Sequence, residues 1–81
     1  MFDMAHSTTD LVRIVPDLNM ARFYVTAIQP TLFGEVSVVR YWGRIGTRGR
    51  SMTVTYEDAR QAGEAGDKLE RQKRHRGYVG A

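Results

Sequence analysis

Apolar and polar residues alternate over short stretches through the first two-thirds of this chain, and the period then lengthens. Leu11-Val12-Arg13-Ile14-Val15 reads as a short strand ended by a Pro16-Asp17 turn. Arg22 to Gln29 reads as a second strand, with Phe23, Val25 and Ala27 on one face, and Pro30 to Gly34 as a loop. Glu35 to Arg44 is β-branched and aromatic, as a third strand would be. Gly46-Thr47-Arg48-Gly49 offers the positive-φ positions of a tight hairpin. From Ser51 to Tyr56 the alternation is clean: Met52, Val54 and Tyr56 point one way and Ser51, Thr53 and Thr55 the other. Thr55-Tyr56-Glu57-Asp58 then fits a capping box opening a helix to about Arg76, along which Ala59, Ala62, Gly66 and Leu69 recur at helical spacing. Gly63 and Gly66 each cost that helix about 1 kcal/mol relative to alanine. Glu64 with Lys68, Asp67 with Arg71 and Glu70 with Arg74 form favourable i,i+4 pairs. The expected fold is α+β, an antiparallel sheet of about four strands with one long C-terminal helix packed across it. Met1 to Thr9 reads as a flexible leader and residues 10–81 as a single domain.

Eighty-one residues make one small core, and a domain this short buries only about 60% of its unfolded surface. A hydrophobic fraction of 42% argues against disorder. Without cysteine there is neither a disulfide framework nor a thiolate metal site. The first ten residues lack the basic start and apolar stretch of a signal peptide, and no apolar run approaches the roughly 20 residues of a membrane span, so a cytoplasmic protein is expected.

The net charge of +3 is unevenly distributed. Residues 1–35 hold four acids and two arginines, a balance of −2, while residues 36–81 hold five acids and ten basic residues, a balance of +5. No acid stands between Glu35 and Glu57, a gap that contains Arg40, Arg44, Arg48 and Arg50. Ten of the twelve basic residues are arginine, whose planar fork suits phosphate and stacks on flat rings. The asymmetry points to a polyanionic partner; a solvated charged surface is the plainer reading.

Trp42 ends the third strand, and on an unbulged strand Arg40, Trp42 and Arg44 share one face. A tryptophan between two arginines on its own face is poorly suited to an apolar core. Its flat ring suits stacking on a base or ribose, worth roughly 1–3 kcal/mol per base. Arg48 and Arg50 flank Gly49, where glycine amides beside arginine would make a phosphate cradle or simply a solvated turn. Lys73, Arg74 and Arg76 close the helix, where cations offset the macrodipole and could also reach phosphate. Leu32 and Phe33 either tuck under the sheet or form an exposed tip. His6 and His75 lack neighbours spaced for a triad or a metal site, so neither catalysis nor a metal or other cofactor is expected.

The run from Val39 to Gly49, with Trp42-Gly43-Arg44 at its centre, resembles the signature of the WGR domain. Asn19-Met20-Ala21-Arg22-Phe23-Tyr24 is similar to that family's asparagine followed by a basic-aromatic-aromatic strand. Ile45-Gly46 with Gly49 looks like its glycine hairpin, and Lys73 to Tyr78 like its basic helix end closing on Gly-Tyr. WGR domains occur in DNA-break-dependent poly(ADP-ribose) polymerases and in short bacterial proteins. The resemblance implies a nucleic-acid-binding module and no enzyme, engaging duplex DNA at ends or breaks without reading sequence. It implies Trp42 as the stacking residue, Gly43 as the point of close backbone approach, Arg44 as a polar clamp, Asn19 as a phosphate-side donor and Arg22 as the family's basic position. Arg50 departs from the neutral polar residue often found near that point. The catalytic domain that receives the DNA signal in the polymerases has no counterpart here. Two other readings use the same features. One is a protein-interaction module in which Arg44 meets an acidic surface and Leu32 and Phe33 add an apolar contact; the other is single-stranded RNA binding on the aromatic-basic face.

Overall fold

The computed structural model describes residues 7–81. Five strands and one helix follow in order: β1 (Ser7–Val15), β2 (Met20–Pro30), β3 (Val36–Arg44), β4 (Arg50–Tyr56), α1 (Ala59–His75) and β5 (Val79–Gly80), with a 3-10 turn over Pro16–Leu18. All neighbouring strands are antiparallel, in the order β4-β3-β2-β1-β5. The α+β arrangement is the expected one, with a fifth strand added. The first strand also begins earlier than its apolar residues suggested. Ser7 to Asp10 pair with Ile28 to Val25, so the last part of the expected leader belongs to the sheet; the rest of it, residues 1–6, lies outside the described residues.

Register decides which side chains meet, because residues directly opposite across a ladder share a face. Arg22, Tyr24, Thr26 and Ile28 of β2 stand opposite Arg44, Trp42, Arg40 and Val38 of β3. Trp42, Arg40, Val38 and Val36 in turn stand opposite Arg50, Met52, Val54 and Tyr56 of β4. One face is therefore apolar at one end and basic and aromatic at the other. The helix crosses the apolar end, where Val36, Val38 and the fully buried Ala62 form a cluster with Ile28, Tyr56, Ala65 and Leu69. A second cluster joins Leu11, Tyr24 and Tyr78 to Trp42 and again Leu69. Phe23, Val25 and Ala27 lie on the opposite face, away from the helix, and are partly exposed.

The helix starts three residues later than the expected capping box. Thr55 and Tyr56 are committed to β4, paired with Ser37 and Val36, and Thr55 Oγ1 lies 2.8 Å from Ser37 Oγ. Asp58 is the N-cap instead: the Gln61 amide donates to its carboxylate at 2.8 Å, while the Glu57 amide donates to Gln61 Oε1 at 3.1 Å. Of the expected helix ion pairs, Glu70–Arg74 forms at 2.8 Å, while Glu64 pairs back to Arg60 at 3.0 Å rather than forward to Lys68.

At its other end the helix closes in a Schellman motif. The Tyr78 amide donates to the Lys73 carbonyl at 3.1 Å and the Gly77 amide to the Arg74 carbonyl at 3.0 Å, with Gly77 at φ +98°. The reversal seats Tyr78 edge-on against Tyr24, with ring centroids 6.4 Å apart, and lets Val79 and Gly80 pair with Val12 and Leu11. Tyr78 packs the tail back on the sheet, as expected. That packing also explains the extra strand, since two residues are too few to show an alternation. No helix among the described residues is long and apolar enough to cross a membrane.

Candidate nucleic-acid interface

The uninterrupted β2–β3 register puts Arg40, Trp42 and Arg44 on one face. Arg22 lies directly across from Arg44, and Arg50 directly across from Trp42. Like charges opposed across a ladder disfavour folding, and here two guanidinium groups face each other. The helix C-terminus completes the ring from above. Leu69, Lys73 and Arg76 follow at i, i+4 and i+7, so the leucine that anchors the helix in both clusters carries the two cations with it. Among the described residues, none of Arg22, Arg40, Arg44, Arg50, Lys73 and Arg76 makes an ion pair.

Trp42 is half-buried. It packs against the Leu11–Tyr24–Tyr78 cluster, and the Arg40 guanidinium lies 5.7 Å from its ring centroid. Trp42 lines two cavities. The first, about 300 Å³, is bounded by Tyr24, Arg40, Met52, Leu69, Lys73 and Arg76 as well as Trp42. The second, about 290 Å³, lies between Trp42, Arg22, Gly43, Arg44, Lys73 and Tyr78. Among the described residues, no carboxylate lines either one.

Lys73 borders both cavities. Its ammonium stands 4.7 Å from the ring centroid of Tyr24 and 5.4 Å from that of Tyr78. Burial lowers its pKa from the ordinary 10.5, and the charges of Arg76, Arg40 and Arg22 push it the same way. Tyr24, beneath it, is only 3% exposed, and its hydroxyl has no hydrogen-bond partner among the described residues.

Other expected site residues are placed less centrally. Asn19 ends the 3-10 turn in the left-handed region at φ +50°, and its carbonyl accepts from Arg44 Nη1 at 3.3 Å, which ties the turn to the arginine. On the side of Gly43 where a Cβ would stand, Gly49 Cα would be 2.8 Å away and Phe23 Cε1 3.5 Å, so the hairpin's own packing requires this glycine. Its backbone still borders the second cavity. Arg48 is exposed on the hairpin and lines neither cavity. The amides of Ile45 and Thr47 donate to the carbonyls of Ala21 and Arg44, which fixes the start of the hairpin. Arg74 turns aside to Glu70. Tyr24 and Met52 were not expected at the site, although their parity with Arg22 and Arg50 along their strands was a signal that could have found them.

Leu32 and Phe33 are 95% and 85% exposed, which makes them a tip and not part of the core. They sit in the β2–β3 connection, at the end of β3 opposite Trp42. Arg44 stands at the far end of that strand.

The family model described as WGR domain matches residues 7–81. Uncharacterized protein y4dW of Sinorhizobium fredii (strain NBRC 101917 / NGR234) is 46% identical over 66 residues, which cover 82% of this chain and 32% of that relative. The chain thus spans about a third of that relative's length. No solved structure matches the chain.

Proposed function

We propose that this chain, which belongs to the WGR domain family, is a binding module that engages duplex DNA at ends or breaks without reading base sequence. The observation that carries this reading is the half-buried Trp42, which lines two cavities with five cations and stands across from Arg50, with no carboxylate among the described residues lining either cavity. WGR domains of poly(ADP-ribose) polymerases bind nucleic acid, and Trp42, Arg44 and Arg22, to which the resemblance gave the stacking, clamping and basic roles, share one face here.

The division of labour follows from chemistry. Arginine and lysine neutralise phosphates and release counterions, which supplies affinity without sequence preference. A base pair inside a continuous duplex hides its flat face against the next pair, whereas a terminal pair offers that face to a ring. Trp42 therefore supplies preference for an end, and Arg22, Arg44 and Lys73 hold the backbone beside it. Arg40, Arg50 and Arg76 extend the field, with Arg48 and Asn19 at its margin. No catalytic step is part of this reading.

Binding to a blunt duplex with 5′-phosphates, at low and at moderate salt, tests it, with a closed duplex lacking ends as competitor. The open duplex is expected to bind more tightly than the closed one, and Trp42→Ala to lose that preference together with roughly 1–3 kcal/mol of affinity. No binding to any duplex at low salt would sink the proposal and leave an acidic protein surface as the partner for the same residues.

A further inference from the structure

A crevice runs away from the Trp42 site between α1 and strands β3 and β4. It encloses about 270 Å³ above a floor of Val38, Val54 and Tyr56, with Ala65 and Leu69 as its helix wall. Its opening has a simple cause: the helix presents the small side chain of Ala65 beside β4, and β4 is the edge strand of the sheet. The crevice shares Arg40, Leu69 and Gln72 with the first Trp42 cavity, so the two are adjacent.

Its charge is one-sided. Arg40 and Lys68 stand on its rim, Lys73 and Arg76 follow beside Trp42, and no carboxylate among the described residues lines it. Glu64 stands one turn before Lys68 but is held by Arg60, and Glu70 is held by Arg74. An apolar floor between cations, with an aromatic at each end, matches the demands of a single nucleic-acid strand, whose bases stack on apolar surface while phosphates track basic groups. A duplex is too wide to enter. From Trp42 past Arg40 to Val38 the strand runs four residues, about 13 Å at the usual rise, which suits a few nucleotides.

We infer that this crevice is the track for a short single-stranded DNA extension of the end bound at Trp42, so that the preferred substrate is a tailed end and not a blunt one. This rests on the duplex-end reading above. An acidic peptide would satisfy the rim but leave unused both the apolar floor of Val38, Val54 and Tyr56 and the ring of Trp42.

The test compares a blunt duplex with the same duplex carrying a roughly three-nucleotide thymidine tail, on the full chain at one salt concentration, with the tail at either the 3′ or the 5′ strand. The wild type is expected to bind one of the tailed duplexes about tenfold more tightly than the blunt one. Lys68→Ala, which removes a rim charge, and Ala65→Phe, which fills the crevice, should bring that ratio toward one while blunt-end binding is retained. Thermal unfolding of both variants guards against loss of fold, and Lys68, being exposed, is the safer of the two. Equal binding of blunt and tailed duplexes by the wild type would overturn the inference and leave the end reading standing. A tail preference that survives in both variants would overturn it as well. Failure to bind either duplex would overturn the end reading and this inference with it.

Discussion

At Lys73 three guanidinium groups and two aromatic rings converge on one ammonium, whose pKa burial and those neighbours hold below 10.5. In the window between the lowered value and 10.5, the unfolded chain keeps a proton that the folded one has released. Stability of the free protein should therefore rise with pH through that window. Binding of phosphate does the reverse, because it favours the charged lysine. Affinity for DNA should fall as pH rises through the lowered pKa, while Lys73→Arg, charged throughout, should hold its affinity there. Titrations at neutral and alkaline pH check this, and a wild-type affinity flat across the range would remove Lys73 from the phosphate contacts. Gly49 makes the complementary point about conformation. It sits at φ +71°, and a Cβ would meet Phe23 Cζ at 2.8 Å and press on the Trp42 carbonyl. Gly49→Ala should cost about 1–3 kcal/mol in denaturant unfolding. Gly46→Ala, with a positive φ but open space around it, should cost less.

The helix contains one adjustable position and one fixed one. At Gly63 an added Cβ meets nothing within 4 Å, so Gly63→Ala should stabilise the protein by about 0.5–1 kcal/mol. Asp58→Ala removes the N-cap and should cost about 1 kcal/mol. A shift of melting temperature in opposite directions for the two variants is the readout. These elements also show how much could be read in advance. Strands β2, β3 and β4, the helix and the shared face of Arg40, Trp42 and Arg44 were legible, because alternation and helical spacing are local and each run is long enough to display its period. The start of the helix was misplaced because Thr55 could serve either a cap or a strand, and pairing with Ser37 decides that from 18 residues away. The fifth strand was illegible at two residues. Lys73 was legible as a basic helix end but not as the lid of a cavity, since that depends on where Leu69 seats the helix.

For the whole molecule, a modest net charge of +3 conceals segregation. Six of the twelve basic residues gather around Trp42 at one end of one sheet face, and the exposed Leu32 and Phe33 mark the other end of β3. Binding driven from the basic end should weaken steeply with salt, each neutralised phosphate adding about 0.9 to the slope of log affinity against log salt. Arg44→Gln is expected to reduce that slope by about one. Trp42→Ala should lower affinity and leave the slope unchanged, because a ring releases no counterions. Measuring the slope for both variants separates stacking from charge; an altered slope in Trp42→Ala would mean that the ring acts only by holding Arg40 in place.

Trp42 is also the one tryptophan in the chain. An indole half out of solvent, with open space on two sides and a guanidinium near its face, is an optical reporter at the place where binding is proposed. Its emission depends on what lies against the ring, so a nucleobase stacked there would dim it, while a phosphate held only by the surrounding cations would change it little. The unlabelled protein can therefore announce, by its own light, whether a bound partner has reached the ring or stopped at the charges around it.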